Sequence, residues 1–125
     1  MSLHTIGLVG AGGVIGTLLR YGAGLFAAKY GKPAFLATLA VNLIGCFFIG
    51  LLIGLGWHEK HEAGYSFAAT GILGGLTTYS TLNVQKATMR ETASRLTVWT
   101  YLIATYAGGV LLTAAGVSVG YLITT

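Results

Sequence analysis

The chain alternates long apolar stretches with short polar ones, and the apolar stretches have the length of membrane-spanning helices. About 20 apolar residues cross a bilayer as an α-helix. Four stretches approach or exceed that length, at residues 5–28, 34–57, 65–90 and 96–123, although the third becomes polar towards its end. We therefore predict an all-α membrane protein with four transmembrane helices, which form a single domain over residues 1–125.

The third apolar stretch contains an interruption. Its residues 71–82 read GILGGLTTYSTL, in which two adjacent glycines precede a row of hydroxyl side chains. A broken backbone at membrane depth is tolerated only where it is buried in protein or lines a cavity. We predict a helix break at Gly74-Gly75, within residues 74–80, where free carbonyls suit a cation and free amides suit an anion. Thr77, Thr78 or Ser80 can cap the second half-helix.

Composition excludes several classes of protein. Only 8% of the residues are charged, and the acids are three glutamates, none of which lies within a span. The absence of a mid-membrane carboxylate argues against proton-coupled transport, and the dispersed Lys and Arg residues form no nucleic-acid patch. The loop 58–64 contains two histidines and two glutamates. A short charged loop between membrane helices is more often a solvated surface than a metal site. No nucleophile–base set appears, so we do not expect an enzyme.

The basic residues are distributed unequally between the two sides of the predicted bundle. Lys60 is the only one in the 58–64 loop, on the side of both termini. The opposite side carries Lys29, Lys32, Lys86, Arg90 and Arg95. The positive-inside rule then places both termini outside the cytoplasm.

Neutral polar residues within the spans are the candidates for a polar pathway. Asn42 is the only strongly polar residue of the second span. In the fourth span Tyr101, Thr105, Gly109 and Thr113 recur every four residues and share one helix face. Such a stripe either lines a pathway or joins helices, since threonine hydroxyls can bond to the carbonyl one turn back. Hydroxyls, an amide and ring edges without acids suit a small anion that accepts hydrogen bonds.

Four segments, one in each span, resemble a known family. GILGGLTTYSTL resembles the GxxGGxTT(F)ST(F) signature of the Fluc/CrcB fluoride channels. GGVIGTLLRY at 12–21, ATLAVNLIG at 37–45 and YLIATYAGGVLLTAAG at 101–116 occur in the family's order. The resemblance implies a passive, fluoride-selective channel in a bacterial-type plasma membrane, built as an antiparallel dimer that exports cytoplasmic fluoride.

The resemblance also implies roles for individual residues. Backbone carbonyls of Gly74 and Thr77 would hold a central structural Na⁺. Arg20 matches an arginine near a vestibule, although at its position it could equally snorkel to the membrane surface. The family's two ring positions fall on Tyr79 and Leu82. The other pathway positions are Asn42, Ser80, Thr81, Tyr101, Thr105 and Thr113.

Departures from the family pattern leave alternatives open. Leu82 lacks the ring that the family has there, Tyr79 adds a hydroxyl, Gln85 replaces a common glutamate and Gly109 replaces a hydroxyl residue. Together with the charge asymmetry, these departures suggest a heterodimer of paired subunits in which this chain is non-conducting or half-functional. A small multidrug exporter, also a four-helix dimer, is a further alternative, but it requires a carboxylate within the membrane.

Overall fold

Helices make up nearly the whole structure. A computed structural model describes residues 2–125, so the first residue of the predicted domain lies outside the described part. In chain order its elements are α1 (Leu3–Lys29), α2 (Ala34–Gly54), α3 (Trp57–Lys60), α4 (Glu62–Tyr65), a π-helical segment (Ser66–Leu73), α5 (Gly74–Leu76), α6 (Ser80–Thr92) and α7 (Arg95–Thr124). Three of these, α1, α2 and α7, are long and apolar enough to cross a membrane. The prediction of an all-α membrane protein is therefore confirmed.

Local sequence explains where the long helices begin and end. The hydroxyls of Ser2 and Ser94 each accept a hydrogen bond from a backbone N–H at 3.1 Å, in α1 and α7 respectively. Pro33 precedes α2, where its missing N–H costs nothing. Gly31 and Gly56 adopt left-handed backbone conformations, with φ of 67° and 77°, directly after the caps of α1 and α2. The left-handed Gly56 ends the second helix before residue 57, where we predicted its end.

Glycines bring the helices into backbone contact in two parallel pairs. Along α2 and α7, a Cβ at Gly50 would meet the Thr113 carbonyl, and Cys46 lies beside Gly109. Along α1 and the π-helical segment, a Cβ at Gly71 would lie 2.9 Å from the Gly12 Cα. Positions rise together along both members of each pair, so each pair runs in the same direction.

The parallel pairing of α2 with α7 determines the course of the chain between them. α2 ends at the opposite end of the bundle from the start of α7, so residues 55–94 return the chain along the length of the bundle. We call the end where α1 ends and α7 begins the basic end, because it carries Lys29, Lys32, Arg90 and Arg95. The other end, which carries His58 and His61, is the histidine end.

The predicted break at Gly74-Gly75 is wrong in position. Gly74 is helical, with φ −64° and ψ −37°, and the helix continues to Leu76. The backbone becomes extended at Thr77, with φ −82° and ψ 157°. The glycines serve close packing instead, because a Cβ at Gly75 would lie 2.5 Å from the Gly13 carbonyl oxygen. The interruption therefore covers residues 77–79, which we call the break.

We call residues 66–92, which include the break, the broken segment. Its backbone contact with α1 leads to a stability prediction. A Cβ at Gly16 would meet the Ile72 carbonyl and lie 2.8 Å from the Leu76 nitrogen, whereas a Cβ at Gly13 has nothing within 4 Å. We expect Gly16→Ala to lower the free energy of unfolding by about 1–3 kcal/mol, the usual range for overpacking. Unfolding in mild detergent measures it, with Gly13→Ala as the matched control. Equal stability of the two variants would contradict the packing described here.

Candidate functional site

The side chain of Asn42 bridges the break. Its Oδ1 accepts a hydrogen bond from the Thr78 N–H at 2.8 Å, and its Nδ2 donates to the Thr78 carbonyl at 3.0 Å. Both backbone groups of Thr78 are thereby satisfied by one side-chain amide, in place of the helical hydrogen bonds that the break removes. One hydrogen of the Asn42 amide remains available after these contacts, because the NH₂ group carries two.

The hydroxyl of Thr78 organises the start of α6. Thr78 Oγ1 accepts from the Thr81 N–H at 3.2 Å and donates to Thr81 Oγ1 at 3.1 Å, and it lies 3.5 Å from Ser80 Oγ. The expected capping role therefore falls on Thr78. Because Thr81 Oγ1 acts as an acceptor in this contact, its own proton remains available to donate elsewhere.

An open groove of about 1010 Å³ lies between α2, the broken segment and α7. Its walls are mostly apolar, and its polar groups are concentrated at the break. The predicted site residues that line it are Asn42, Gly74, Thr77, Tyr79, Leu82, Thr105 and Thr113. Ser80, Thr81 and Tyr101 lie outside this lining, although Ser80 and Thr81 adjoin Thr78, which belongs to it. Arg20 is half-buried on α1 and does not line the groove.

The polar stripe of α7 is engaged with its own helix. Thr105 Oγ1 donates to the Tyr101 carbonyl at 2.8 Å, and Thr113 Oγ1 donates to the Gly109 carbonyl at 2.8 Å. A hydroxyl has one proton, so neither threonine offers a donor to the groove in this arrangement. Each side chain must rotate before it can donate to an anion. Gly109 itself faces Cys46, whose Sγ would lie 3.3 Å from a Cβ at that position.

Tyr101 lies in a packed cluster near the basic end. Its side chain is 2% exposed, and its hydroxyl donates to Gln85 Oε1 at 3.0 Å. This contact joins α6 to α7, and the role of Gln85 as an acceptor could not be predicted from the sequence. We call the group the Tyr101 cluster, and it comprises Leu82, Met89, Val98 and Tyr101, with Phe35, Leu39, Ala93 and Leu102 packed against it.

The two ring positions implied by the resemblance differ sharply in environment. Leu82 is 2% exposed and belongs to the Tyr101 cluster, so an aliphatic side chain fills the core there. Tyr79, at the break, is 66% exposed. Of these two positions, only Tyr79 therefore presents a ring to the groove, where Tyr106 of α7 is a second exposed ring.

Carbonyl oxygens at the break fit a hard cation. Gly74 and Thr77 both line the groove, and their carbonyls accept no hydrogen bond from any donor within residues 2–125. The Leu73 carbonyl, by contrast, accepts from both the N–H and the hydroxyl of Thr77, at 3.0 and 2.9 Å. Backbone carbonyls without hydrogen-bond partners are the groups with which proteins replace the hydration shell of an alkali cation.

Acidic groups are remote from this site. Among the described residues, the one close contact between a basic and an acidic side chain joins His58 Nε2 to Glu59 Oε1 at 3.6 Å, and no group of three acidic, His or Cys side chains is arranged to hold a metal. The polar break therefore combines neutral donors with unpaired carbonyls. Together with three apolar helices of membrane-spanning length, it defines a multi-pass helical membrane protein with a polar interruption.

Comparison with known proteins identifies the family. A family model described as CrcB-like protein, Camphor Resistance (CrcB), matches residues 7–117. A protein named fluoride-specific ion channel FluC from Pseudomonas fluorescens (strain SBW25) is 41% identical over 119 residues, which cover 91% of this chain and 94% of that relative. Fluoride-specific ion channel FluC 2 of Lactobacillus delbrueckii subsp. bulgaricus is 36% identical over 118 residues, or 92% of this chain and 97% of the relative. The chain belongs to the CrcB family, which confirms the resemblance and the expectation that it is not an enzyme.

Proposed function

We propose that this chain is a passive, fluoride-selective channel that releases fluoride from the cytoplasm. The observation that carries the proposal is the bridged break, where Asn42 satisfies the backbone of Thr78 and leaves hydroxyl and amide protons without an opposing acid. The names of the relatives give the same ion. Fluoride is a small anion with a high demand for hydrogen-bond donors, which these groups supply.

Permeation requires fluoride to exchange water for protein donors in several steps. The Thr81 proton, the remaining Asn42 amide hydrogen and the exposed ring edge of Tyr79 offer weak, successive contacts rather than one tight site. A conducting pathway needs this combination, since an ion must leave each site as readily as it enters. Hydrofluoric acid enters cells as a neutral molecule and dissociates inside, so a passive anion pathway suffices at an inside-negative potential.

A fourth membrane crossing and an antiparallel dimer complete the proposed architecture. The course of residues 55–94 from one end of the bundle to the other supports a crossing by the broken segment. The groove is open on one side, and Tyr79 at its edge is two-thirds exposed. A second subunit of opposite orientation would cover this side and exclude lipid from the polar break.

The unpaired carbonyls of Gly74 and Thr77 would hold a structural Na⁺, one pair from each subunit. Gly74 is exposed and Thr77 is partly exposed where they line the groove, which supports a site shared between two copies. When bound there, the ion would supply the positive charge that stabilises the carbonyl end of α5. In this proposal all the protein ligands of the Na⁺ are backbone carbonyls, and no side chain supplies an oxygen.

A heterodimeric arrangement is the second candidate. The buried Leu82 supports it, because Leu82 has no ring. The chain therefore presents a ring to the ion at only one of the two positions where the family has one. The four exposed cations of the basic end also support it, because such asymmetry favours one orientation, with both termini outside the plasma membrane. A fixed orientation would require a partner of opposite orientation.

Fluoride efflux from liposomes that contain only this purified chain tests the proposal. We expect fluoride-selective efflux with chloride as the control ion. Thr81→Val should reduce fluoride efflux roughly tenfold or more, because it removes a donor to a charged acceptor. Thr88→Val is the matched control, since the Thr88 hydroxyl bonds to the Val84 carbonyl on an exposed part of α6. Folded protein that releases no fluoride would contradict a self-sufficient channel and favour the heterodimer.

Removal of sodium tests the proposed cation site without reference to conduction. When Na⁺ is replaced by N-methyl-D-glucamine, we expect the thermal unfolding temperature in detergent to fall. A ligand present at about 100 times its Kd stabilises the folded state by about 2.7 kcal/mol. Sodium should restore the unfolding temperature and the larger K⁺ should not. Unfolding curves that are identical in the three cations would refute the site.

A further inference from the structure

The basic end carries positive charge that the chain itself does not balance. Lys29, Lys32, Arg90 and Arg95 are exposed there, and Glu91 is the only acid close to them in sequence. Within residues 2–125 the single close contact between a basic and an acidic side chain, His58 with Glu59, lies at the histidine end. The described part of the chain therefore supplies no carboxylate partner to these four cations.

Three of these cations belong to segments that pack against the Tyr101 cluster. Lys32, Arg90 and Arg95 each lie within three residues of a side chain packed in the Tyr101 cluster. They come from the loop before α2, the last turn of α6 and the first turn of α7. Three segments that are distant in sequence thus bring their charges to the same end of the bundle.

On the exposed face of α7, a cation is followed by a stripe of apolar residues. Arg95, Trp99 and Ile103 are spaced by four residues and share one helix face. Trp99 is 57% exposed and Ile103 is 61% exposed. Tryptophan on a membrane helix marks the headgroup level of the bilayer. In a bilayer with Trp99 at that level, Arg95 would lie at the depth of the lipid phosphates and Ile103 at the depth of the acyl chains.

A second interfacial anchor lies at the same end of the bundle. Tyr30, directly after α1, is 58% exposed, and the Lys29 Nζ lies 5.6 Å from the centre of its ring. The basic end therefore carries exposed aromatic side chains next to cations, Tyr30 beside Lys29 and Trp99 one turn from Arg95.

We propose that Lys32, Arg90 and Arg95 bind the headgroup phosphate of an anionic phospholipid, whose acyl chains lie along the Trp99–Ile103 face of α7. A phosphatidylcholine headgroup carries its own cation, whereas phosphatidylglycerol leaves the phosphate charge to the protein. The Coulomb attraction therefore selects the anionic lipid. The site is independent of which ion the chain conducts, so it goes beyond the proposed function.

The two tryptophans provide a local readout at each end of the bundle. Trp57 lies at the histidine end and Trp99 at the basic end, so Trp57→Phe and Trp99→Phe each leave one reporter. Each variant is reconstituted in phosphatidylcholine vesicles with phosphatidylglycerol as a minor component. In one set of vesicles the phosphatidylglycerol carries brominated chains, and in a second set the phosphatidylcholine does. Brominated chains quench tryptophan fluorescence on contact. We expect the apparent phosphatidylglycerol fraction at Trp99 to exceed the bulk fraction on the order of fivefold, and to exceed the fraction at Trp57.

A charge-removal variant distinguishes lipid binding by these three cations from a general attraction of the protein for anionic lipid. Lys32→Gln, Arg90→Gln and Arg95→Gln, combined in the chain that retains Trp99, should return the local fraction to the bulk value. Quenching by brominated phosphatidylcholine should persist in that variant, which shows that Trp99 still contacts lipid. Two results would each overturn the proposal: a bulk fraction at Trp99 in the parent, or enrichment at Trp99 that survives the triple substitution.

Discussion

The double hydrogen bond between the Asn42 amide and the backbone of Thr78 is the contact on which the remaining structure depends. In hydrocarbon, an unsatisfied backbone N–H or carbonyl is destabilising by several kcal/mol, which normally forbids an interrupted helix. One side-chain amide on α2 satisfies both groups of Thr78, at 2.8 and 3.0 Å, and so permits the chain to open at this depth. The free carbonyls before the break and the free donors after it both result from that opening.

Close backbone contact holds this opening in place. Gly12, Gly16 and Gly75 press the first half of the broken segment against α1, while Gly50 and Gly116 press α2 against α7. Side chains at these positions would separate the helices and move Asn42 away from Thr78. Small residues thus serve the site indirectly, because the groove is the space that remains between two tightly packed pairs. The same parallel pairs direct the cations of Lys32 and Arg95 to one end of the bundle.

Hydropathy was sufficient to predict the helical membrane class and the approximate extent of the long helices. The sequence-based prediction puts the break three residues too early, because packing of Gly75 against Gly13 keeps the glycine pair helical. The helix ends at Thr77, where the backbone becomes extended, and no periodicity in the sequence marks this position. The contact between Asn42 and Thr78 spans 36 positions, and the π-helical turn depends on tertiary packing, so neither could be predicted from local sequence. The engagement of Thr105 with the Tyr101 carbonyl was one of two alternatives that the sequence left open.

Backbone amide exchange at Thr78, measured by NMR in bilayers, tests the central claim most directly. The account predicts that the Thr78 N–H is protected from exchange, and that Asn42→Leu removes this protection. Amides within α1 should stay protected in the variant, which would show that the bundle remains folded. A Thr78 amide that exchanges at the same rate with and without the Asn42 side chain would contradict the account, because the break would then be stabilised by something other than this side chain.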